Sequence, residues 1–305
     1  MSSMISRSSA AAHYAGRPPA AIELTPEGVL AAALPGKNEQ PVYAFEPLRP
    51  GVLVPGISEL NMSSPEAVSL AIRTALASVS ARGRFVTVVI PDTAVRVFVL
   101  DFDSLPARAS EAIPVLRFRL RKMVPFEVEH AGLSYQILTQ SKTEARVLVA
   151  ILPSNILEEY ETVVRGAGCE PGAVMPSALA TLATLESSEP LLAACLSKVA
   201  ITTSITRGDD LLLYRTLDLP DDPQQRLLEV QRSVAVAAAY YEDKVSVLPK
   251  ELYFAGNGTA SEFEHWFGPS ELKIVDLASR PSSGLTTNMS NMSTAGLAGA
   301  LAGAV

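Results

Sequence analysis

The sequence has few of the residues that build metal sites and covalent catalytic centres. It contains two cysteines, Cys169 and Cys195, and three histidines, His13, His130 and His265, each isolated in the chain. Because no CxxC pair or Cys/His cluster occurs, a structural zinc site is not expected, and two lone cysteines in apolar stretches are typical of buried thiols in a reduced cytosolic protein. The GxxxxGK[ST], GxGxxG, HExxH and GxSxG motifs are also absent. The sequence therefore predicts no catalytic residue and no metal ligand.

Long hydrophobic runs and an excess of positive charge are missing as well. No stretch of about 18 apolar residues occurs, so no membrane span is expected. The net charge is -7, from 25 Lys and Arg against 32 Asp and Glu, which disfavours binding to nucleic acid. Hydrophobic residues make up 48% of the 305 residues, enough for two domains or one large domain with lobes. The N-terminal segment lacks the apolar core of a signal peptide and predicts a disordered leader over residues 1–19.

The first half of the chain alternates strand and helix patterns. The stretch AAIELTPEGVLAAAL predicts a β-hairpin that turns at Thr25–Gly28. Ser64 and Pro65 open an amphipathic helix that ends at Gly83. The stretch RFVTVVIPDTAVRVFVLDF predicts two strands broken at Pro91-Asp92, the first of them nearly all apolar and therefore buried on both faces.

A short basic segment, LRFRLRKMVPF, follows these strands. A narrow arc of a helix would contain Leu116, Leu120 and Met123 of this segment together with Ile113 just before it. Its cations occupy the remaining arc and are Arg117, Arg119, Arg121 and Lys122. Two interpretations stay open: a solvated face of a helix buried on its other side, or a basic face toward an acidic partner or anionic lipid. Nucleic acid is disfavoured, because no aromatic residues are interleaved with the cations.

The second half begins near Pro190. The stretch KVAITTSITRGDDLLLYRTLDL predicts a hairpin that turns at Gly208–Asp210, and a long helix is expected from Pro223 to Asp243. ELYFAGNGTASEFEHWF predicts a strand, a glycine turn and a helix, LKIVDL a last strand, and TAGLAGALAGAV a closing helix of small residues.

Four stretches carry a family resemblance: RKMVPFEVEHAGLSYQIL, VLVAILPSNILEEYETVVRGAGCEPGAVMPSALATLATL, EVQRSVAVAAAYYED and GLAGALAGAV. In this order they resemble the PilM family of actin-like type IV pilus assembly proteins, and more distantly FtsA. The resemblance implies an α/β fold of the actin-like, ribonuclease H-like type with two lobes, an inserted α+β subdomain named 1C and a reduced or missing subdomain 2B.

The same resemblance implies a division of the chain. Lobe 1A would comprise residues 20–92, the return segment 169–189 and the closing helix 294–305. The inserted subdomain would span residues 93–168. Lobe 2A would span residues 190–280, followed by a polar linker over 281–293.

In actin-like ATPases two Asp-Ile-Gly-type hairpins hold the phosphates and the metal, and here the sequence departs from that pattern. Glycine lets backbone N–H groups approach the phosphates, and the aspartate handles Mg²⁺ or its waters. In the first hairpin, Glu23 stands in place of the aspartate, Thr25 replaces the glycine and Pro26 removes a donor. In the second, Cys195 falls about where the aspartate would be.

The adenosine-side turn is better preserved than the phosphate hairpins. It contains Gly256, Asn257 and Gly258, for which the alternative is an ordinary tight turn. The cleft wall of subdomain 2B, however, is expected to be missing between Leu219 and Gln225. Phosphoryl transfer depends on positioning and charge compensation. The sequence therefore predicts a scaffold without ATPase activity and without a cofactor, with vestigial nucleotide-contacting positions at Glu23 and at Gly256 to Gly258, where weak ATP binding is left open.

The resemblance also implies a partner and a location. PilM-like proteins are cytoplasmic adaptors at the inner membrane that bind the N-terminal cytoplasmic peptide of a PilN-like membrane protein, and other pilus platform proteins are further candidate partners. The candidate partner-binding residues are Arg117, Arg119, Arg121 and Lys122. Two alternatives remain: an active actin-like ATPase of the PilM/FtsA type, and a cytoplasmic GspL-like component of a type II secretion platform. The second is disfavoured because such proteins usually continue into a membrane span, whereas this sequence ends at Val305.

Overall fold

The computed structural model describes residues 17–36, 39–141, 143–185, 187–278, 289 and 292–302. The strands in this part of the chain are β1 (Ala20–Thr25), β2 (Gly28–Ala33), β3 (Val42–Pro47), β4 (Phe85–Ile90), β5 (Arg96–Phe102), β6 (Gly132–Gln140), β7 (Ala145–Leu152), β8 (Glu170–Pro176), β9 (Pro190–Leu196), β10 (Ala200–Arg207), β11 (Asp210–Asp218), β12 (Glu251–Gly256) and β13 (Lys273–Asp276). The helices are α1 (Pro65–Ser78), α2 (Ala109–Leu120), α3 (Ser154–Gly166), α4 (Ser177–Leu182), α5 (Pro223–Val245), α6 (Ala260–Phe267) and α7 (Ala295–Leu301).

The first sheet has five strands in the order β3-β2-β1-β4-β8. β1, β2 and β3 form an antiparallel meander, whereas β4 and β8 run parallel to β1. β1 and β2 are buried along almost their whole length, which explains their nearly continuous apolar sequences. Residues that alternate along β1 and β2 pack on one face against α1 and α3 and on the other against α4 and α7. The sheet is thus covered on both faces.

The second sheet repeats this topology in the order β11-β10-β9-β12-β13. β9, β10 and β11 form an antiparallel meander, and β12 and β13 run parallel to β9. α5 and α6 cover one face, where the rings of Phe254 and Phe263 stack with centroids 4.1 Å apart. The other face packs toward α4 of the first lobe through Ala193, Leu211 and Tyr214.

A three-stranded antiparallel sheet in the order β5-β7-β6 is inserted in the chain between β4 and β8 of the first sheet. α2 packs on one face of it through Ala112, Leu116 and Leu120, which contact alternate residues of β7. This is the α+β insert that the sequence predicts. α3, which follows β7, places its buried residues in the same core cluster as α1. The predicted lobe boundaries, including the one at Gly168, remain predictions.

The predicted fold class is confirmed: two lobes of the same actin-like topology carry an α+β insert. Residues 219–222 alone join β11 to α5, so no subdomain 2B is inserted there. No described helix combines the length and apolar character needed to cross a bilayer. The leader over residues 1–16 and most of the 281–293 linker lie outside the described residues, as do residues 303–305 of the predicted closing helix.

Candidate interlobe cleft

The turns of both lobes meet at one narrow cleft. Its walls come from the β1–β2 turn, the end of β4, the start of α4, the β9–β10 turn and the end of β12. The cavity at its base measures about 80 Å³. Pockets for drug-sized ligands are about 300–1,000 Å³. The cavity is therefore smaller than a typical ligand pocket.

The first hairpin closes on itself. Thr25 and Gly28 face each other across the two-residue turn, and the Thr25 hydroxyl accepts the Gly28 N–H over 3.2 Å and donates to the Gly28 carbonyl over 3.0 Å. A Cβ on Gly28 would lie 2.3 Å from the Glu46 carbonyl of β3, so this glycine is required by strand packing. The Gly28 N–H is therefore bonded to the Thr25 hydroxyl, whereas a phosphate-binding loop would leave such an N–H free for a phosphate oxygen.

The second hairpin is closed by an equivalent device. The Ser197 hydroxyl accepts the N–H groups of Val199 and Ala200 over 3.3 and 3.0 Å, an arrangement typical of a serine turn. The Arg226 guanidinium of α5 donates to the carbonyls of Ser197 and Lys198 over 2.7 and 2.5 Å. Cys195, at the predicted aspartate position, lines the cleft. Desolvation and the charges of Asp92 and Glu23 raise the pKa of this thiol, which therefore stays protonated.

The glycine turn after β12 is also tightly packed. A Cβ on Gly256 would lie 2.7 Å from the Phe254 ring and 2.8 Å from the Leu196 carbonyl, and Gly258 has a φ of +85°, a conformation that suits glycine. The Asn257 carboxamide accepts the Ser293 N–H over 3.2 Å. These contacts account for both glycines without a ligand, and a nucleotide role for the turn remains a prediction.

Two buried carboxylates lie at the base of the cleft. Glu23, at the end of β1, accepts the Ser177 hydroxyl over 2.5 Å through Oε1. Asp92, just after β4, accepts the Ala178 N–H over 3.1 Å and the Tyr214 hydroxyl over 3.0 Å. Burial raises the pKa of Glu23 to about 7, with the Asp92 charge adding to the effect and Ser177 opposing it. Burial likewise raises the pKa of Asp92 to about 6, against its two hydrogen bonds.

These carboxylates are arranged as structural groups rather than as metal ligands. Oε2 of Glu23 is buried without a hydrogen-bond partner and lies where a Cβ on Gly296 would come within 2.6 Å. Asp92 uses its oxygens to hold α4 and β11. In the described part of the chain, no three His, Cys, Asp or Glu side chains are grouped to bind a metal ion. With the N–H groups of Gly28, Val199 and Ala200 already bonded within the turns, the residues present do not fit a magnesium-bound triphosphate.

Comparison with solved structures places this architecture. No family model matches the sequence, and no curated protein matches it. A chain of the PilM–PilN type IV pilus biogenesis complex aligns with 92% of this chain and 97% of its own length, at a TM-score of 0.73 and 18% identity. The chain has the PilM-like actin fold.

Two further structures align less well. The cytoplasmic domain of EpsL, an inner-membrane component of the type II secretion system of Vibrio cholerae, covers 77% of this chain and 81% of its own, at a TM-score of 0.49 and 12% identity. A protein of actin-like ATPase fold and unknown function from Bacteroides thetaiotaomicron covers 80% and 83%, at 0.44 and 12%.

Within this PilM-like fold the four cations near α2 have different surroundings. The Arg117 guanidinium donates to the Ala131 carbonyl over 3.0 Å, and its Nη1 is buried without a partner. Arg121 forms an ion pair with Glu129, with nitrogen–oxygen distances of 2.5 and 2.8 Å. Arg119 and Lys122 are exposed and form no ion pair in the part of the chain that the structure describes. Of the four predicted partner-binding side chains, only Arg119 and Lys122 are therefore available to bind a partner.

Asp92, Ser177 and Tyr214, which form hydrogen bonds at the base of the cleft, were not predicted from the sequence. Asp92 had a usable signal, because it follows a nearly all-apolar strand and so lies at the carboxyl edge of a sheet, where α/β proteins gather polar groups. Ser177 and Tyr214 carried none. Tyr214 lies within the alternating pattern of β11, and its hydrogen bond joins residues 122 positions apart.

Proposed function

We propose that this protein is a scaffold of PilM type at an inner-membrane pilus or secretion platform, cytoplasmic in location, which binds a short peptide of a PilN-like membrane protein and does not hydrolyse ATP. The supporting observation is the contrast between the preserved fold and the altered cleft. Both lobes keep the actin-like topology, whereas both turns that would hold a triphosphate bond to themselves and two carboxylates occupy the base.

The proposal that ATP is not hydrolysed rests on the charge of the cleft and on its hydrogen-bond donors. Phosphoryl transfer needs backbone or side-chain donors and a metal opposite the phosphates. Here the Thr25 and Ser197 hydroxyls accept the N–H groups of Gly28 and Ala200. The carboxylates of Glu23, Glu27 and Asp92 line the cleft, and Lys198 is the one Lys or Arg among the described residues that line it. A triphosphate entering this cleft would meet like charge without a metal site to compensate it.

Calorimetry with Mg·ATP and a phosphate-release assay test this part. We expect no binding at micromolar protein and no hydrolysis above background. The alternative, an actin-like ATPase, has one observation in its favour, since the two hairpins and the Gly256 turn converge on one cavity. Hydrolysis that Glu23→Ala abolishes would establish that alternative and contradict the proposal.

For the peptide we propose a docking surface at the loop 53–62, where the first lobe meets the insert. Val54 and Leu60 of this loop are 63% and 60% exposed. The loop itself is held in place: Glu159 of α3 accepts the N–H groups of Asn61 and Met62 over 2.7 and 2.9 Å. Two exposed apolar side chains on a rigid loop suit a peptide that buries apolar anchors.

Fluorescence anisotropy with a labelled N-terminal peptide of the PilN-like protein from the same genome tests the docking surface. We expect micromolar binding that Val54→Asp and Leu60→Asp each weaken by about tenfold or more. The matched control is Leu228→Asp, because Leu228 is equally exposed, at 63%, but lies on α5 of the second lobe. Absence of binding to wild-type protein at micromolar concentrations would contradict the partner assignment, and equal losses in all three variants would contradict the surface.

A further inference from the structure

The outer face of α2 and of the turn that follows it combines exposed apolar and cationic side chains. Val115, Phe118 and Arg119 are spaced three and one residues apart, which places them within one arc of α2 beside its buried residues, and Lys122 is exposed in the turn that follows the helix. We name these four residues the α2 ridge. Phe118 is 74% exposed, more than any other large apolar side chain in the described part of the chain, and Val115 is 36% exposed.

The two cations of the α2 ridge, Arg119 and Lys122, are available to bind an external anion. Arg119 and Lys122 form no ion pair among the described residues, whereas Arg121 is paired with Glu129 and Arg117 is bonded to the backbone. Three exposed carboxylates lie nearby: Glu111 on α2, which is ion-paired with Arg108, Glu129, which is ion-paired with Arg121, and Glu127. The protein as a whole carries a net charge of -7, so most of its surface is repelled by anionic material. The ridge is a local exception to that balance.

We propose that the α2 ridge binds directly to the surface of an anionic lipid bilayer, with Phe118 inserted among the lipid headgroups and Arg119 and Lys122 against their phosphates. This goes beyond the proposed scaffold function, in which a peptide partner holds the protein at the membrane, and it does not depend on that peptide.

Charge distinguishes Phe118 from the exposed apolar side chains of the docking loop. The loop 53–62 contains no Lys or Arg, whereas Phe118 stands out from a single helix near Arg119 and Lys122, with three quarters of its surface in water. A bilayer interface deforms around such a side chain and buries it without a preformed groove, while the flanking cations gain from the negative surface potential. An aromatic group between two cations is therefore complementary to an anionic interface.

Co-sedimentation of the full chain with vesicles tests the proposal. At low ionic strength we expect binding to vesicles of phosphatidylglycerol and phosphatidylethanolamine and none to vesicles of phosphatidylcholine alone. Each cation at such a surface is worth about fivefold in affinity, so R119Q/K122Q is expected to weaken binding by about 25-fold. Phe118→Ser is expected to weaken it by about tenfold. Raising the salt concentration should weaken wild-type binding, since it screens the charge term.

Matched controls separate the ridge from general charge and apolar exposure. R49Q/R82Q removes two exposed arginines of the first lobe that form no ion pair among the described residues, and Leu228→Ser removes an exposed leucine of α5. Both controls are expected to bind vesicles like wild type. All substituted side chains are exposed, so circular dichroism should show unchanged folding.

Failure of wild-type protein to bind anionic vesicles, or equal losses in control and ridge variants, would overturn the proposal. Peptide binding should be unaffected by the ridge variants, which keeps this test distinct from the docking test.

Discussion

The two five-stranded sheets have the same order and the same pattern of parallel and antiparallel pairs, yet their turns differ in chemistry. In the first lobe the hairpin ends in a threonine, a proline and a glutamate, and in the second it ends in a serine, a lysine and a valine. In both turns a hydroxyl of the turn itself nevertheless accepts backbone N–H groups, those of Gly28 in the first and of Val199 and Ala200 in the second. The topology follows from buried apolar strands, and the turns are free to change so long as their backbone groups are bonded.

The lobes also differ in how their sheets are covered. The second sheet is covered by α5 and α6, which lie close to it in sequence. The first depends on α7, which comes from far along the chain and contacts β1, β2 and β4. A Cβ on Gly299 of α7 would lie 1.7 Å from the Ala180 carbonyl of α4, so the two helix backbones touch. Gly299 in the closing helix of small residues thus serves close packing within the fold.

Gly299→Ala tests this dependence and is expected to have the largest effect on stability. The added methyl group must displace the backbone of α4 or α7, which is expected to lower the free energy of unfolding by about 3 kcal/mol or more. Urea denaturation followed by circular dichroism measures the change. Ala298→Ser, one residue away on the less buried side of α7, should change the free energy by less than about 0.5 kcal/mol. A Gly299→Ala protein as stable as wild type would show that α7 does not close the first lobe.

The second prediction concerns Glu23, the carboxylate of the first lobe for which the second lobe has Cys195. Because burial raises the pKa of Glu23 in the folded state from its ordinary value of 4.5 to about 7, the folded protein binds the proton more tightly than the unfolded chain. The free energy of unfolding should therefore fall as the pH rises between these two values. Glu23→Gln removes this fall.

We expect Glu23→Gln to be more stable than wild type by about 1–3 kcal/mol near pH 8 and to lose that advantage near pH 5. Paired urea titrations at the two pH values measure the difference. Ser177→Ala serves as a companion variant, because the Ser177 hydroxyl holds the pKa of Glu23 down. Its loss should move the decline in stability to higher pH. A constant difference between Glu23→Gln and wild type at both pH values would contradict a titrating buried carboxylate.

The third prediction concerns the hydrogen bond that joins the two lobes. The Tyr214 hydroxyl of the second sheet donates to Asp92 of the first lobe over 3.0 Å. Tyr214→Phe leaves a buried carboxylate with one donor fewer and should lower the free energy of unfolding by about 1–2 kcal/mol near neutral pH. Since this hydrogen bond lowers the pKa of Asp92, its removal should raise that pKa further, and the loss should shrink on acidification.

The control for this prediction is Tyr253→Phe. Tyr253 also donates to a carboxylate, that of Glu251 over 3.0 Å, but both lie within the second lobe and Glu251 is not buried. Its loss should be smaller and nearly independent of pH between neutral and mildly acidic solution. Equal effects of the two substitutions would show that the contact between the lobes adds nothing beyond an ordinary surface hydrogen bond.

Much of this architecture could be predicted from the sequence, because hydrophobic period and turn residues determine local structure. The hairpin at Thr25–Gly28, the break at Pro91-Asp92 and the long helix from Pro223 lie where the patterns place them. The arc predicted for α2 was correct for Leu116 and Leu120, which are buried, but Met123 is 39% exposed. The helix ends at Leu120, and beyond that residue the helical period no longer predicts which side chains are buried.

The site was harder to predict than the fold. The departures at Glu23, Thr25 and Cys195 were visible in the sequence, because the resemblance supplied a pattern to depart from. Their present partners were not visible, because contacts such as Glu23 with Ser177 join residues 154 positions apart. No local pattern specifies such contacts; they follow from the packing of α4 beneath the ends of β1 and β4.

The smallest expected effects come from the turn hydroxyls themselves. Thr25→Ala and Ser197→Ala each remove the acceptor that satisfies turn N–H groups, but both turns border solvent, and water replaces much of the lost bond. We expect each substitution to lower the free energy of unfolding by less than about 1 kcal/mol, with Ser270→Ala in a distant exposed turn as the control.

Calorimetry with Mg·ATP on the Thr25→Ala/Ser197→Ala double variant tests whether the turn hydroxyls or the carboxylates keep nucleotide out of the cleft. If Glu23 and Asp92 repel the triphosphate, freeing the turn N–H groups should not restore binding. Binding gained by the double variant would show instead that the hydroxyls alone keep the cleft closed to nucleotide.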